Sequence, residues 1–189
     1  MSIVFAGKIA GEGNALTGEC GAAGEPRFFA DSNVGRLARW LRILGFDVSY
    51  DAAIADAELV RQALAEDRII LTRDTGVVQR RAARRCLFLH GNDTAAQLLQ
   101  VLADCGLHPD PARFWSRCPA DNTPLQPASK EEVRARVPPH TFRTHDQFFQ
   151  CPRCRRVYWH GSHQERFQRL LQQSLSGEKD DDRQRRSDG

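Results

Sequence analysis

Two stretches, Arg27-Phe-Phe-Ala-Asp31 and Arg68-Ile-Ile-Leu-Thr-Arg-Asp74, decide the fold. Each is a short unbroken apolar run that ends in an acid. A run with no polar alternation is a strand buried on both faces, as in a parallel sheet. Between the two runs, Val34, Leu37, Ala38, Leu41 and Leu44 recur at helical spacing, and Gly45 stands where a C-cap glycine belongs. Phe46-Asp-Val-Ser-Tyr50 reads as a second strand. Asp56 then caps a helix through Glu66, with Leu59, Val60, Ala63 and Leu64 on its apolar face. After the second run the pattern predicts a short helix through Ala83, a strand over Cys86-Leu-Phe-Leu89 and a helix from Asp93-Thr94 to about Cys105. Strand and helix alternate four times with short connections. The expected architecture is α/β, a doubly wound parallel sheet over residues 27–112.

The chain has 189 residues, enough for one domain with a small appendage. At 41% hydrophobic and 27% charged it has the composition of a globular protein. No apolar run approaches the roughly 20 residues of a membrane span. The N-terminus, Met1-Ser-Ile-Val-Phe-Ala-Gly-Lys8, lacks the layout of a signal peptide. The expectation is a cytoplasmic protein with no membrane partner, whose six cysteines are metal ligands or core residues and not disulfides.

Residues 1–26, rich in Gly, Ala and Glu, read as a flexible leader, and residues 176–189 as a disordered tail. After Pro109 the texture changes. Six of the nine prolines fall within residues 116–160, together with Cys118, Cys151 and Cys154. Residues 113–175 are expected to form a small metal-dependent module, closed by a helix that Ser162 caps. Charge follows the same division. Residues 27–112 hold 11 Arg against 11 acids, whereas residues 113–173 hold 11 Lys or Arg against 5 acids. A basic module points to a polyanionic partner, and a solvated basic face is the competing reading.

Ligands of a doubly wound sheet bind outside the carboxyl ends of its strands. Asp31, Asp51, Asp74 and Asp93 follow the four predicted strands, and Asp56 and Glu58 open the helix on the same rim. Carboxylates gathered on one rim repel unless a cation lies among them, and oxygen ligands suit Mg²⁺ or Mn²⁺. Asp51, Asp56 and Asp93 are equally explained as turn or cap residues. Asp31 and Asp74 directly close apolar strands and are the stronger candidates. Arg73 and Thr72 stand beside Asp74, in reach of a phosphate.

Cys151-Pro-Arg-Cys154 has the spacing of a zinc knuckle, and Cys118-Pro-Ala-Asp121 repeats the frame with its last position changed. Asp ligates zinc through oxygen, so a site of three thiolates and the Asp121 carboxylate is one reading, and a ribbon that keeps its shape without metal is the other. His140, His145, His160 and His163 are other candidates for the fourth place. Cys86 and Cys105 are expected in the core, and Cys20 is uninvolved.

Five stretches occur in one order: Asp31-Ser-Asn-Val-Gly-Arg-Leu-Ala-Arg-Trp-Leu-Arg-Ile-Leu-Gly-Phe-Asp47, Arg68-Ile-Ile-Leu-Thr-Arg-Asp74, Ser116-Arg-Cys-Pro119, Cys151-Pro-Arg-Cys154 and Val157-Tyr-Trp-His-Gly-Ser-His163. Over residues 27–170 the chain resembles the Mut-seven-C RNase family, a PIN-like domain followed by a zinc ribbon. The resemblance implies a metal-dependent ribonuclease with its acids at Asp31, Asp74 and Asp56. The family's first knuckle ends in Cys-Asn, where this chain reads Asp121-Asn122. The expected function is hydrolysis of RNA at Asp31, Asp56 and Asp74 with Mg²⁺ or Mn²⁺. Arg36, Arg39 and Arg73 would hold the RNA backbone, and Zn²⁺ would sit on Cys118, Asp121, Cys151 and Cys154. Trp115, Tyr158 and Trp159 are candidates for stacking on bases, against burial in the module. The rivals are a non-catalytic RNA-binding or interaction module and, more weakly, a phosphatase of small phosphoesters.

Overall fold

Consecutive residues of the two deciding runs are buried in opposite directions. In a computed structural model that describes residues 25–159, they are β1 (Phe28–Ala30) and β3 (Ile69–Thr72). With β2 (Val48–Tyr50) and β4 (Cys86–Phe88) they form a four-stranded sheet in the order β2-β1-β3-β4, every pairing parallel. Phe28, Ala30, Ile69, Leu71 and Leu87 face α1 (Gly35–Ile43) and α4 (Thr94–Asp104) in one core. Phe29, Ile70 and Cys86 face α2 (Asp56–Ala65) and the single turn α3 (Thr75–Val78) in a second core. Because side chains alternate across a strand, a run apolar at every position supplies both faces at once.

Strand order creates a crevice. β1 and β3 are neighbours, yet β1 leads into α1 on one face and β3 into α3 on the other. The two chains diverge at the carboxyl edge, which makes the β1–β3 boundary the topological switch point. Gly45 ends α1 at φ +94°, the left-handed conformation that the C-cap reading requires, and a Cβ there would lie 2.6 Å from the Arg113 carbonyl.

The small module carries β5 (Gln126–Ala128), β6 (Phe148–Gln150) and β7 (Val157–Trp159) as an antiparallel sheet, with the short helices α5 (Lys130–Val133) and α6 (Pro139–Thr144). Its core is Val133, Val137 and Phe148, with Phe142, Val157 and Trp159 against it. A buried polar clamp joins it to the sheet. Arg42 of α1, 4% exposed, donates from Nε to the Val48 carbonyl at 2.8 Å and from Nη1 to the carbonyls of Pro119 and Ala120 at 3.2 and 3.1 Å. Asn122 accepts from the Val48 N–H at 3.1 Å and donates to Asp47 at 2.8 Å.

Two expectations change in detail. The helix expected through Ala83 ends at Val78, and residues 80–84 continue in turns held by Arg80 N–H to Val77 and Ala83 N–H to Arg80. Too few apolar residues follow Val78 to give another helical turn a buried face. Asp56 is the first helical residue of α2 and not its cap, which is Ala55. Trp115, Tyr158 and Trp159 are engaged in packing: Trp115 lies against the main core and 6.3 Å from the Tyr158 ring, and Trp159 against the module core. Cys86 and Cys105 are buried as expected. Cys20, His160, His163, the helix after Ser162, the tail and all but the last two residues of the leader lie outside the described residues. Among the described residues, no helix is long and apolar enough to cross a membrane.

Candidate functional site

Asp31 ends β1 with a carboxylate that is 3% exposed. Its Oδ1 accepts from the Ser32 N–H at 2.6 Å and the Ser32 hydroxyl at 3.2 Å. Its Oδ2 accepts from Asn33 Nδ2 at 2.8 Å and from the Thr72 hydroxyl at 2.5 Å. Thr72, fully buried at the end of β3, spends the same hydroxyl twice, since its oxygen also accepts from the Asp74 N–H at 2.9 Å. One side chain thus ties the two strand ends together across the switch point. Asp74 is exposed and also caps α3, accepting from the Gly76 N–H at 2.7 Å.

Asp56 is paired with Arg80 at 3.3 Å. Asp51 accepts from Ala53 N–H and Asp93 caps α4 through Ala96 N–H, the turn and cap roles weighed for them. Burial, then the negative charge of Asp31, pushes the Cys86 thiol up to about 11, so it is inert as a nucleophile.

Arg36, Arg39 and Arg73, the residues expected to hold phosphates, line one open cleft of about 510 Å³ together with Ser32 and Asn33. The structure brings these three residues to one cleft and gives none of them an ion-pair partner among the described residues. Ser32 and Arg73 are the chain neighbours of Asp31 and Asp74, so the cleft adjoins the strand ends that carry the two carboxylates.

A second constellation lies in the small module. Cys118, Asp121, Cys151 and Cys154 bring their ligand atoms within 4.8 Å of one another. Asp31, Asp56 and Asp74 do not form a second such group. The two knuckles share one backbone design. The Cys118 carbonyl accepts from the Asn122 N–H at 2.9 Å, and the Cys151 carbonyl from the Arg155 N–H at 3.0 Å. Asn122 and Arg155 both adopt left-handed conformations, at φ 69° and 63°. Asp121 therefore stands in register with Cys154. The Cys118 and Cys154 sulfurs are 3.6 Å apart, and Cys151 Sγ lies 3.4 Å from both Asp121 oxygens. A tetrahedral zinc with bonds of about 2.3 Å to sulfur and 2.1 Å to oxygen has edges of about 3.8 Å and 3.6 Å. The donor set fits that ion. Without a metal, burial pushes the Cys118 thiol up to about 12. Burial works the same way on Asp121, but hydrogen bonds from Thr123 N–H and the thiols outweigh it and hold the carboxyl well below its usual range. His140 and His145 take no part in the cluster.

Sequence reasoning missed the connecting residues. Asp47, Arg42 and Asn122 join the knuckle to the sheet, and Tyr50 stands over the cleft. Only Asn122 carried a signal, since Asn tolerates the left-handed conformation that closes a knuckle turn.

No curated protein and no solved structure matches the chain. Residues 26–171 match the family model of the Mut7-C RNAse domain. That span takes in the switch-point carboxylates, the arginine cleft and both knuckles, and the chain belongs to the Mut7-C RNAse domain family, with a ribonuclease-related role and RNA as the class of substrate.

Proposed function

We propose that the protein is a metal-dependent ribonuclease of PIN-like fold and that its small module is a zinc ribbon. The observation that supports this reading most is the coupling of Asp31 to Asp74 through Thr72, at the switch point beside three unpaired arginines. Two carboxylates with water and substrate phosphate are the usual environment of Mg²⁺. Such an ion, held by Asp31 and Asp74, would neutralise the phosphate and acidify a water. Asp56 would join only by leaving Arg80.

The chain's own groups do the rest. Arg36, Arg39 and Arg73 bind the strand by its phosphates and set the scissile one against the carboxylate edge. Thr72 keeps the Asp31 carboxylate at a single orientation, and the long Ser32 hydroxyl bond of 3.2 Å is the one that would give way to the ion. Fixed donors of this kind cost no reorganisation when charge develops. In the ribbon, Cys118, Asp121, Cys151 and Cys154 would hold one Zn²⁺ as a structural centre.

One observation favours a second reading, an RNA-binding module that does not cleave. Asp31 already accepts four hydrogen bonds, the full capacity of a carboxylate. Incubation with single-stranded and structured RNAs separates the two. Cleavage is expected with added Mg²⁺ or Mn²⁺, and none without a divalent ion. Asp31→Asn and Asp74→Asn should each abolish it with the fold retained, exposed Asp74→Asn at a nearly unchanged thermal midpoint and buried Asp31→Asn at a lower one. Cleavage by Asp74→Asn at the natural rate would sink the ribonuclease mechanism. RNA binding without cleavage under any divalent ion would establish the second reading.

A further inference from the structure

Tyr50 ends β2 at the same carboxyl edge as Asp31, and in register it pairs with Ala30, the residue before that aspartate. Its ring is braced. A Cβ on Gly35 would lie 2.5 Å from the ring carbon that bears the hydroxyl, so the ring rests directly on the glycine backbone. Its hydroxyl donates to the Ser32 carbonyl at 3.3 Å. The side chain is nonetheless only half-buried, and it lines two openings. One is the arginine cleft. The other is a wider cleft of about 720 Å³ between the sheet and the small module, where Arg117 and Arg153 stand with Asp51 and Asp121. Tyr50 is the wall common to both.

We propose that Tyr50 is a stacking platform for an unpaired base, and that the ligand is a single RNA strand lying across it from the arginine cleft toward the small module. The proposal rests on the ribonuclease reading and adds the form of its substrate. Arg36, Arg39 and Arg73 supply charge for phosphates on one side of the ring. Arg153, without an ion-pair partner among the described residues, supplies it on the other. The acids Asp51 and Asp121 make the second cleft the weaker binder, so the strand is anchored in the first. Duplex RNA keeps its base faces inside the stack and cannot offer one to a ring on a wall, whereas a single strand turns a base out at little cost. A ring already fixed by Gly35 and Ser32 loses little freedom on stacking.

The test is binding of the full chain to a short fluorescent RNA of mixed sequence, without added divalent ion. The probes are the intact single strand, the same strand with one abasic site at each position in turn, and its blunt duplex. Natural protein should prefer the single strand to the duplex and lose affinity on the order of tenfold at one abasic position. Tyr50→Leu should lose a similar factor on the intact strand and become insensitive to that abasic site, with the salt dependence of binding unchanged. Tyr50→Phe should bind as the natural protein does. Equal sensitivity of natural protein and Tyr50→Leu at every abasic position overturns the proposal, and so does duplex binding as tight as single-strand binding. If Tyr50→Leu does not fold, the abasic scan of the natural protein decides, and insensitivity at every position is the overturning result. Protein that cleaves RNA but ignores abasic sites would fail this proposal alone, whereas protein that neither binds nor cleaves RNA would fail the ribonuclease reading with it.

Discussion

Thr72 shows how much one hydroxyl can carry. It is fully buried, donates to Asp31 and accepts from the backbone of Asp74. Thr72→Val keeps the shape and removes both bonds, leaving a buried carboxylate oxygen and an N–H short of a partner. Losses of this kind cost about 1–3 kcal/mol. We expect Thr72→Val to unfold at lower temperature and to cleave RNA at least tenfold more slowly. Thr72→Ser, which keeps the hydroxyl, should restore most of both. Cleavage by Thr72→Val at the natural rate would show that the bridge is structural only. Asp121 makes the complementary case, a residue whose neighbours were built for something else. Its knuckle superimposes in design on one that ends in cysteine, and a carboxylate is the harder donor for zinc. Asp121→Cys should therefore bind zinc more tightly in a competition titration and raise the thermal midpoint of the zinc-loaded protein. No zinc in the natural protein, with one zinc in the variant, would show a module that stands on packing alone.

At the scale of elements, strands and helices were legible because the residues that make them repeat. Phe28-Phe-Ala30 and Ile69-Ile-Leu71 announce burial on both faces, and Leu37, Ala38 and Leu41 announce the stripe of α1. The join between α1, β2 and the first knuckle was not legible. It depends on single polar side chains, Arg42, Asp47 and Asn122, brought together over more than 70 positions of chain. No period marks such a contact. Asp47 lies at its centre, accepting from Arg68 at 2.6 Å and from Asn122 at 2.8 Å, with Arg117 at 3.4 Å. Burial by itself would raise its carboxyl. The hydrogen bonds from Arg68 and Asn122 outweigh that and hold it below the usual 3.8. A depressed acid contributes stability above its unfolded pKa and loses it as pH falls through the lower, folded value. The contribution is complete at neutral pH and fades below about pH 4. Asp47→Asn should be less stable than the natural protein by roughly 1–3 kcal/mol at pH 7. The gap should narrow in urea unfolding at pH 3. A gap that stayed constant between the two pH values would mean that the charge of Asp47 is not what holds the join.

For the whole molecule, net charge is a poor guide to where a polyanion would lie. Residues 27–112 balance 11 arginines against 11 acids and read as neutral. The fold divides that balance unevenly. Arg61 pairs with Glu58, Arg68 with Asp47, Arg80 with Asp56 and Arg85 with Asp67. Of the arginines without an ion pair among the described residues, Arg36, Arg39 and Arg73 line one cleft. Which arginines are paired depends on contacts between strands and helices distant in sequence, so composition could not reveal it. The consequence is measurable without any assumption about catalysis. Each phosphate neutralised on a single strand releases bound counterions, and the logarithmic dependence of affinity on salt steepens by about 0.7 per contact. Arg36→Gln, Arg39→Gln and Arg73→Gln should each weaken RNA binding and flatten that slope by about 0.7. The triple variant should flatten it by about 2. Arg61→Gln, which removes a guanidinium of the same charge already paired on α2, should leave the slope where it was. Net charge changes identically in all four single variants. If Arg61→Gln flattened the slope as much as the cleft variants do, binding would respond to overall charge, and the cleft would lose its claim to the RNA backbone.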